Sequence, residues 1–207
     1  MNRLKFYFAR TLRSENPIAR ASVDQATLLD SLRGKTVAIV GNARDLARTG
    51  YGPEIEAHDV VIRINRAPMP AEISHGVKTD WLAMATRVSR RERARIGAKR
   101  LMWFSHKRKR LDWSVAISDG FYLHPRADYS RLEQALDRQP TTGAMLIDLI
   151  AKSPAAQIDL YGFDFFSSLS LSGRRTADDV PHDFDAEAQF VNGLCADDER
   201  ITLHPMK

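Results

Sequence analysis

The 207-residue chain is 43% hydrophobic and 28% charged, an ordinary globular composition that is long enough for one sizeable core. Its single cysteine, Cys195, excludes an internal disulfide framework, and no apolar run approaches the ~20 residues of a membrane-spanning helix. The net charge of +5 favours an anionic partner, but it does not choose among nucleotides, acidic glycans, membranes and nucleic acids. We therefore expect a single-domain protein of a reducing, cytoplasmic compartment.

The segment 1–33 is predicted to be a basic lead-in to a domain at residues 34–207. In the opening MNRLKFYFARTLR, Leu4, Phe6, Phe8 and Leu12 are set among four basic residues. Such a segment could rest on an anionic membrane surface, which would make the protein peripheral to the inner face of a membrane. An ordinary surface helix or a frayed terminus is the simpler interpretation.

A buried strand and a sharp turn follow a helix predicted at residues 25–32. The β-branched run Val37–Val40 is typical of a strand covered on both faces, and Gly41 and Asn42 break it. In open α/β sheets, ligands bind at the carboxyl ends of strands, where glycine lets the backbone approach and an amide side chain can bind a phosphate or a base. A simple strand-ending turn is the alternative interpretation, because GxGxxG is absent.

Three further strands are predicted at 59–64, 80–84 and 100–104, and a basic stretch lies between and just beyond the last two. Residues 87–110 contain eleven Lys or Arg residues against one acid, Glu92. This stretch is either a docking surface for an acidic glycan, a phospholipid or nucleic acid, or a solvated helix face. Trp103 and Phe104 are expected to be core strand residues rather than platforms for stacked bases.

The sequence PTTG at residues 140–143 precedes an apolar helix. Thr141 and Thr142 would stand beside the unpaired amides of its first turn, an arrangement that attracts anions but also serves as an ordinary N-cap. The strand predicted at 157–163 should end beside Gly41.

The last predicted helix spans residues 180–194 and is entered through Pro181. We expect His182 at its start and an apolar stripe formed by Phe184, Ala188, Val191 and Leu194. Glu187 lies about 140° around an ideal helix from His182, so it is more plausibly an anchor for a loop.

The same helix start carries a DxD pattern. Asp183 and Asp185 match the pattern that holds a divalent cation in many metal-dependent glycosyltransferases. Acids are also expected in a first helical turn because of the helix dipole, and we prefer that explanation.

These segments together resemble the animal-type sialyltransferase family, whose long, short and very short motifs occur in this order. The long motif matches AIVGN, GYGPEI and HDVVIRINRAP, the short motif matches PTTG and IDLYGF, and the very short motif HxxxxE falls on His182 and Glu187. The match covers residues 36–68 and 140–191 and leaves the basic middle region and both termini unmatched.

The resemblance implies a Rossmann-like α/β fold with a mostly parallel sheet flanked by helices. It also implies an inverting, metal-independent glycosyltransferase that needs no cofactor and moves sialic acid or a related acidic sugar from its CMP ester to a glycan or glycolipid, with no nucleic acid as partner. His182 would be the general base, since a histidine with a reference pKa of ~6.5 is largely neutral at cellular pH. The remaining site residues that it implies are, for donor binding, Gly41, Asn42, Asn65, Thr141, Thr142 and Gly143 and, in support, Arg63 and Glu187.

The chain also departs from this family. Val37 and Ala155 stand where the family has its paired cysteines, and no aromatic-rich third motif is evident between Phe163 and His182. The region between the long and short motifs is brief, so the acceptor is open. We expect a short, bacterial-type member, with a non-catalytic protein that binds nucleic acid or anionic membrane as the alternative.

Overall fold

The computed structural model describes residues 2–12, 14–165 and 182–206. Seven strands in this part of the chain form one sheet, in which every pair of neighbours is parallel. The strands are β1 (Thr36–Val40), β2 (Val60–Ile64), β3 (Trp81–Met84), β4 (Arg100–Trp103), β5 (Tyr122–Leu123), β6 (Gln157–Tyr161) and β7 (Ile201–Leu203). The prediction of a Rossmann-like α/β fold is confirmed.

The sheet order is β5-β4-β3-β2-β1-β6-β7, so the chain order reverses between β1 and β6. Such a reversal opens a crevice at the carboxyl ends of the two strands, because their connections leave toward opposite sides. The predicted adjacency of Gly41 and the end of β6 is confirmed, since the amide of Gly41 donates to the carbonyl of Tyr161 at 2.7 Å.

Helices cover both faces of the sheet. They are α1 (Arg3–Thr11), α2 (Asn16–Ala19), α3 (Gln25–Asp30), α4 (Gly52–Ala57), α5 (Glu72–His75), α6 (Arg90–Ile96), α7 (Trp113–Ala116), α8 (Arg126–Leu136), α9 (Thr142–Ala151) and α10 (Phe184–Asp197). Two 3₁₀ turns lie at Arg44–Arg48 and Arg108–Arg110. Within the described residues, no helix has the length and apolar character needed to cross a bilayer.

The alternation of side chains along β1 explains why the sheet has a core on each face. Val37 and Ile39 enter one apolar cluster with residues of α9, whereas Ala38 and Val40 enter another on the opposite face. Ala155 joins Val37 in the first cluster. The two positions where the family has cysteines are thus both filled by buried apolar side chains.

The N-terminal helices pack onto the rest of the fold. Phe6, Ala9 and Ile18 join a cluster that includes residues of β3 and β4, and Leu28 and Leu32 belong to the core that contains β1. The predicted boundary between residues 33 and 34 stays a prediction, although side chains from both sides of it share these cores.

The basic stretch 87–110 is less exposed than its composition predicts. Trp103 and Phe104 are buried, which confirms their prediction as core residues. Arg108 is only 2% exposed, and its guanidinium donates to the carbonyls of Ser105 and His124 and to Glu15. The interpretation as a solvated face is therefore wrong for Arg108, because partners distant in sequence satisfy its charge.

The buried face of α10 also differs from the predicted stripe. Glu187 and Val191 are buried, and Phe190 and Leu194 pack against the core. Phe184 and Ala188 are only partly buried. The helix begins at Phe184 with Asp183 as its N-cap, and it buries the side chains that face α8, α9 and β7 rather than the whole predicted stripe. Pro181 lies outside the described residues.

Candidate active site

A cavity of about 420 Å³ opens at the carboxyl ends of the strands, where β1 meets β6. Seven of the predicted site residues line it, namely Asn42, Asn65, Thr141, Thr142, Gly143, His182 and Glu187. A volume in this range is typical of pockets for small molecules and cofactors. The fold therefore brings together residues that are up to 145 positions apart in the sequence.

Gly41 and Arg63 are predicted site residues that do not line this cavity. A Cβ on Gly41 would lie 2.2 Å from the carbonyl oxygen of Gly162, so glycine allows the ends of β1 and β6 to approach. Arg63 is buried and donates to the carbonyls of Lys78 and His75, and desolvation lowers its pKa to about 10. It supports the turn before β3 rather than the cavity.

Asn42 and Asn65 form one wall of the cavity. The Asn42 amide donates to the carbonyl of Ile64 at 3.4 Å, which ties the ends of β1 and β2 together. Asn65 has a φ of 53°, a left-handed conformation that asparagine tolerates better than most residues. Its side chain donates to the Thr142 hydroxyl at 3.3 Å and accepts from the amide of Ala85 at 3.0 Å, which fixes its position between β3 and α9.

The start of α9 forms the opposite wall. The Thr141 hydroxyl accepts from the amide of Ala144 at 3.1 Å and so acts as the predicted N-cap. The amides of Thr142 and Gly143 come first in the helix, where no intrahelical acceptor exists, so this end of the helix favours an anion. A Cβ on Gly143 would lie 2.8 Å from the ring of Phe163, which explains the glycine.

Glu187 connects α10 to this helix start. Its carboxyl oxygens accept from the amide of Thr141 at 2.6 Å and from the Thr141 hydroxyl at 2.7 Å. Burial raises the pKa of Glu187 to about 7, although the two hydrogen bonds from Thr141 act in the opposite direction. The Glu187 side chain therefore anchors the loop that leads into α9, in agreement with the prediction from its angular position on the helix.

His182 lies just before α10 and lines the cavity. Its Nδ1 is 2.6 Å from the carbonyl oxygen of Gln139, and a carbonyl only accepts, so Nδ1 carries the proton in this hydrogen bond. In the neutral ring the basic nitrogen is then Nε2. This tautomer suits a residue that takes a proton from a substrate.

A basic wall that follows β4 also belongs to the cavity, although its residues were predicted only as part of a docking surface or a solvated face and not as part of this site. His106, Lys107 and Arg110 line the cavity together with Ser105. Burial and the neighbouring Lys107 charge lower the pKa of His106. Their position directly after a predicted strand was the signal that could have identified them, because the carboxyl ends of parallel strands share one edge of the sheet.

The two acids of the DxD pattern have different roles at the start of α10. Asp183 caps α10 by accepting from the amide of Ala186 at 2.9 Å, whereas Asp185 is exposed. In the described part of the chain, no three His, Cys, Asp or Glu side chains gather in a way that could hold a metal ion.

An open parallel sheet with a cavity at its switch point defines the Rossmann-like class of α/β proteins, in which ligands bind at this crevice. A family model described as glycosyltransferase family 29 (sialyltransferase) matches residues 5–117, which is more than half of the chain. The chain belongs to this family. The match also includes the basic middle region and most of the lead-in, which the motif resemblance left unmatched.

Similar proteins include CMP-N-acetylneuraminate-beta-galactosamide-alpha-2,3-sialyltransferase 1 of Homo sapiens and of Sus scrofa. The human protein is 38% identical over 63 residues, covering 30% of this chain and 18% of that protein. The pig protein is 27% identical over 178 residues, covering 74% of this chain and 51% of that protein. The chain thus spans about half, or less, of the length of these relatives.

Solved structures of mammalian sialyltransferases share the fold. One crystal structure has a TM-score of 0.67 at 18% identity and covers 100% of this chain and 87% of that chain. Another, in complex with Gal-beta-1-3GalNAc-ortho-nitrophenol, has a TM-score of 0.64 at 19% identity and covers 100% of this chain and 88% of that chain. At these identities the likeness establishes the architecture.

Proposed function

We propose that this chain transfers sialic acid or a related acidic sugar from its CMP ester to a hydroxyl of a glycan or glycolipid. The observation that carries the proposal is the cavity at the switch point, which is lined by Asn42, Asn65, the start of α9 and His182. The names of the human and pig relatives refer to CMP-N-acetylneuraminate, which supports a CMP-activated donor for this chain.

The leaving group is CMP, and the cavity has groups that suit its phosphate. The first amides of α9 and the side chains of Lys107 and Arg110 would stabilise the charge that develops as the bond to the sugar breaks. A monophosphate carries less charge than a diphosphate, so we propose that the reaction needs no metal ion and no cofactor. Asn42 and Asn65 would hold the nucleoside part through their amides.

His182 would act as the general base through Nε2. It takes the proton of the acceptor hydroxyl while the oxygen bonds to the anomeric carbon and the bond from that carbon to the CMP phosphate oxygen breaks. Because attack and departure occur on opposite faces of one carbon in a single step, the configuration inverts.

A nucleotide panel tests the donor class. We expect CMP to raise the melting temperature more than AMP, GMP or UMP does. Equal stabilisation by all four nucleotides would contradict a CMP-sugar site. Salt-sensitive binding of DNA without any CMP binding would favour the non-catalytic alternative.

His182→Ala tests the base. We expect this variant to bind CMP as the wild type does and to lose transfer from CMP-sialic acid across a panel of galactosides. Transfer by this variant would show that His182 is not the general base.

Chelation tests the proposed independence from metal ions. Full activity of the wild type in excess EDTA is expected, and loss of activity would contradict metal independence.

We also propose that α1 contacts an anionic membrane. Leu4, Phe8 and Leu12 are 80%, 66% and 61% exposed. They are four residues apart, so they form one apolar stripe along the helix, while Phe6 on the other side packs into the core. Exposed Arg3 and Lys5 beside the stripe complement anionic headgroups.

Vesicle flotation tests this contact. The wild type should bind phosphatidylglycerol vesicles more strongly than phosphatidylcholine vesicles, and Leu4→Ser/Phe8→Ser/Leu12→Ser should abolish the binding. Ile73→Ser/Val77→Ser is the matched control, because these side chains are also exposed but lie elsewhere. Equal flotation of the triple variant and the wild type would refute the contact.

A further inference from the structure

A second cavity of about 390 Å³ adjoins the candidate active site on its basic side. Its lining consists of Thr86, Arg87, Lys109 and Arg110. Thr86 and Arg110 line both cavities, whereas Arg87 and Lys109 line only the second. The two cavities are therefore neighbours, with Thr86 and Arg110 contributing to both.

Much of the charge in this basic region is already used by the protein. Lys99 pairs with Asp80 at 2.8 Å, Arg108 pairs with Glu15, and Arg93 donates to Ser114 at 2.8 Å. These cations hold segments together.

The cations around the second cavity differ from these. Among the described residues, no carboxylate forms an ion pair with Lys107, Lys109 or Arg110. Within the described residues, the ion pair of Arg87 is a long one of 3.9 Å to Asp112, and both of those side chains are exposed. The Arg87 Nε also donates to the carbonyl of Arg110 at 3.2 Å. Arg87, Lys109 and Arg110 line the second cavity and are exposed, so their positive charges would attract an anion that enters it.

We propose that the second cavity binds an oxyanion carried by the acceptor glycan, such as a phosphate or a carboxylate. The proposal rests on the proposed transferase function and names the class of acceptor. The acceptor hydroxyl would enter the first cavity, which His182 lines, while its anionic group meets Arg87 and Lys109. The phosphate of the CMP donor does not need Arg87 and Lys109, because Lys107, Arg110 and the start of α9 would bind it in the first cavity.

The test uses the full chain saturated with CMP, so that the first cavity is filled. Calorimetric titration with glucose 6-phosphate and with glucuronate should show binding, and glucose, the neutral match, should not bind. We expect Lys109→Ala to weaken the binding of the anionic sugars about tenfold or more, and Arg87→Ala/Lys109→Ala about a hundredfold or more, since each substitution removes one hydrogen bond to a charged group.

Arg90→Ala/Arg91→Ala is the control. It removes two exposed basic residues of α6 that line neither cavity, and it should bind the sugars as the wild type does. CMP affinity should be unchanged in every variant, which also shows that each variant is folded. Lys109→Ala alone leaves the hydrogen bond from Arg87 to the Arg110 carbonyl intact, so it remains informative if the double variant is unstable.

Three results would overturn the proposal. They are no binding of either anionic sugar, equal binding by Lys109→Ala and the wild type, and displacement of CMP by the sugar, which would place the anion in the first cavity. If the wild type does not bind CMP at all, the proposed function itself fails. If CMP binds and the anionic sugars do not, only the acceptor proposal fails.

Discussion

The buried carboxyl of Glu187 leads to an unusual expectation, namely that Glu187→Gln stabilises the protein at alkaline pH. Glu187 is 4% exposed, and burial raises its pKa from 4.5 to about 7. Because the folded-state pKa lies above the unfolded value, its contribution to stability is fully present below about pH 4.5 and is lost as the pH rises through about 7. Glutamine does not titrate, so the variant does not lose this contribution.

The magnitude follows from the same pKa difference. At about 1.4 kcal/mol per pKa unit, the rise from 4.5 to about 7 corresponds to about 3 kcal/mol of unfolding free energy. Glutamine keeps both contacts with Thr141, since its oxygen accepts from the amide and its nitrogen donates to the hydroxyl. Wild type and Glu187→Gln should therefore be equally stable near pH 4.5, and the variant should be more stable by up to about 3 kcal/mol near pH 8.

Glu187→Ala should behave differently. It removes both acceptors and leaves the Thr141 amide without its partner, which costs about 1–3 kcal/mol. Glu187→Ala also removes the buried charge that destabilises the wild type at high pH. The difference in unfolding free energy between this variant and the wild type should therefore shrink as the pH rises.

Urea denaturation from pH 4.5 to 8, followed by circular dichroism, measures these differences. Asp185→Asn is the control, because this exposed acid lies in the same first turn of α10. This substitution should change the unfolding free energy by no more than about 0.5 kcal/mol. Parallel pH profiles for Glu187→Gln and wild type would refute the reasoning.

Two further substitutions test contacts that hold the neighbouring strands of the sheet. Gly41→Ala should lower stability by about 1–3 kcal/mol and weaken CMP binding, because the new Cβ would meet the Gly162 backbone at 2.2 Å; Gly50→Ala, with nothing within 4 Å, should be tolerated in the same denaturation series. Burial lowers the pKa of His58, but its hydrogen bonds, including one of 2.8 Å to Asp159, outweigh burial and leave the pKa above the usual 6.5. The stability that His58 contributes should be present below about pH 6.5 and lost as the pH rises through the folded-state pKa, and a flat difference between wild type and His58→Gln would contradict this.

The sequence predicted the parts of the site that depend on local pattern. Gly41 follows a short β-branched run, and Thr141 and Thr142 precede an apolar helix, so the strand end and the cap are visible in neighbouring residues. The position of Arg63 was not predictable in this way. Arg63 and Asn65 share a face by strand alternation, but the left-handed backbone at Asn65 turns the chain and separates their side chains.

The basic stretch shows a second limit of one-dimensional pattern. A charge run does not distinguish Arg108, which pairs with Glu15 at a separation of 93 residues, from Lys107 and Lys109 beside it. Their different roles depend on which acids the fold brings near. Only the three-dimensional arrangement separates structural cations from those beside the cavities.

The same arrangement explains how the proposed base, which lies just before α10, keeps its position relative to the proposed donor site at the start of α9. His182 donates to the carbonyl of Gln139, and Glu187, five residues later, accepts from the amide and hydroxyl of Thr141. His182, which precedes α10, and the first turn of α10 are thus both fixed to the segment 139–141. The same segment caps α9 at the end that is proposed to bind the phosphate. A one-step displacement requires the acceptor oxygen, the anomeric carbon and the leaving phosphate to be aligned, and errors of about 1 Å cost about a hundredfold in rate. Because the proposed base and the proposed phosphate site are attached to one three-residue segment, a displacement of α10 relative to α9 would have to break three hydrogen bonds before it changed that alignment.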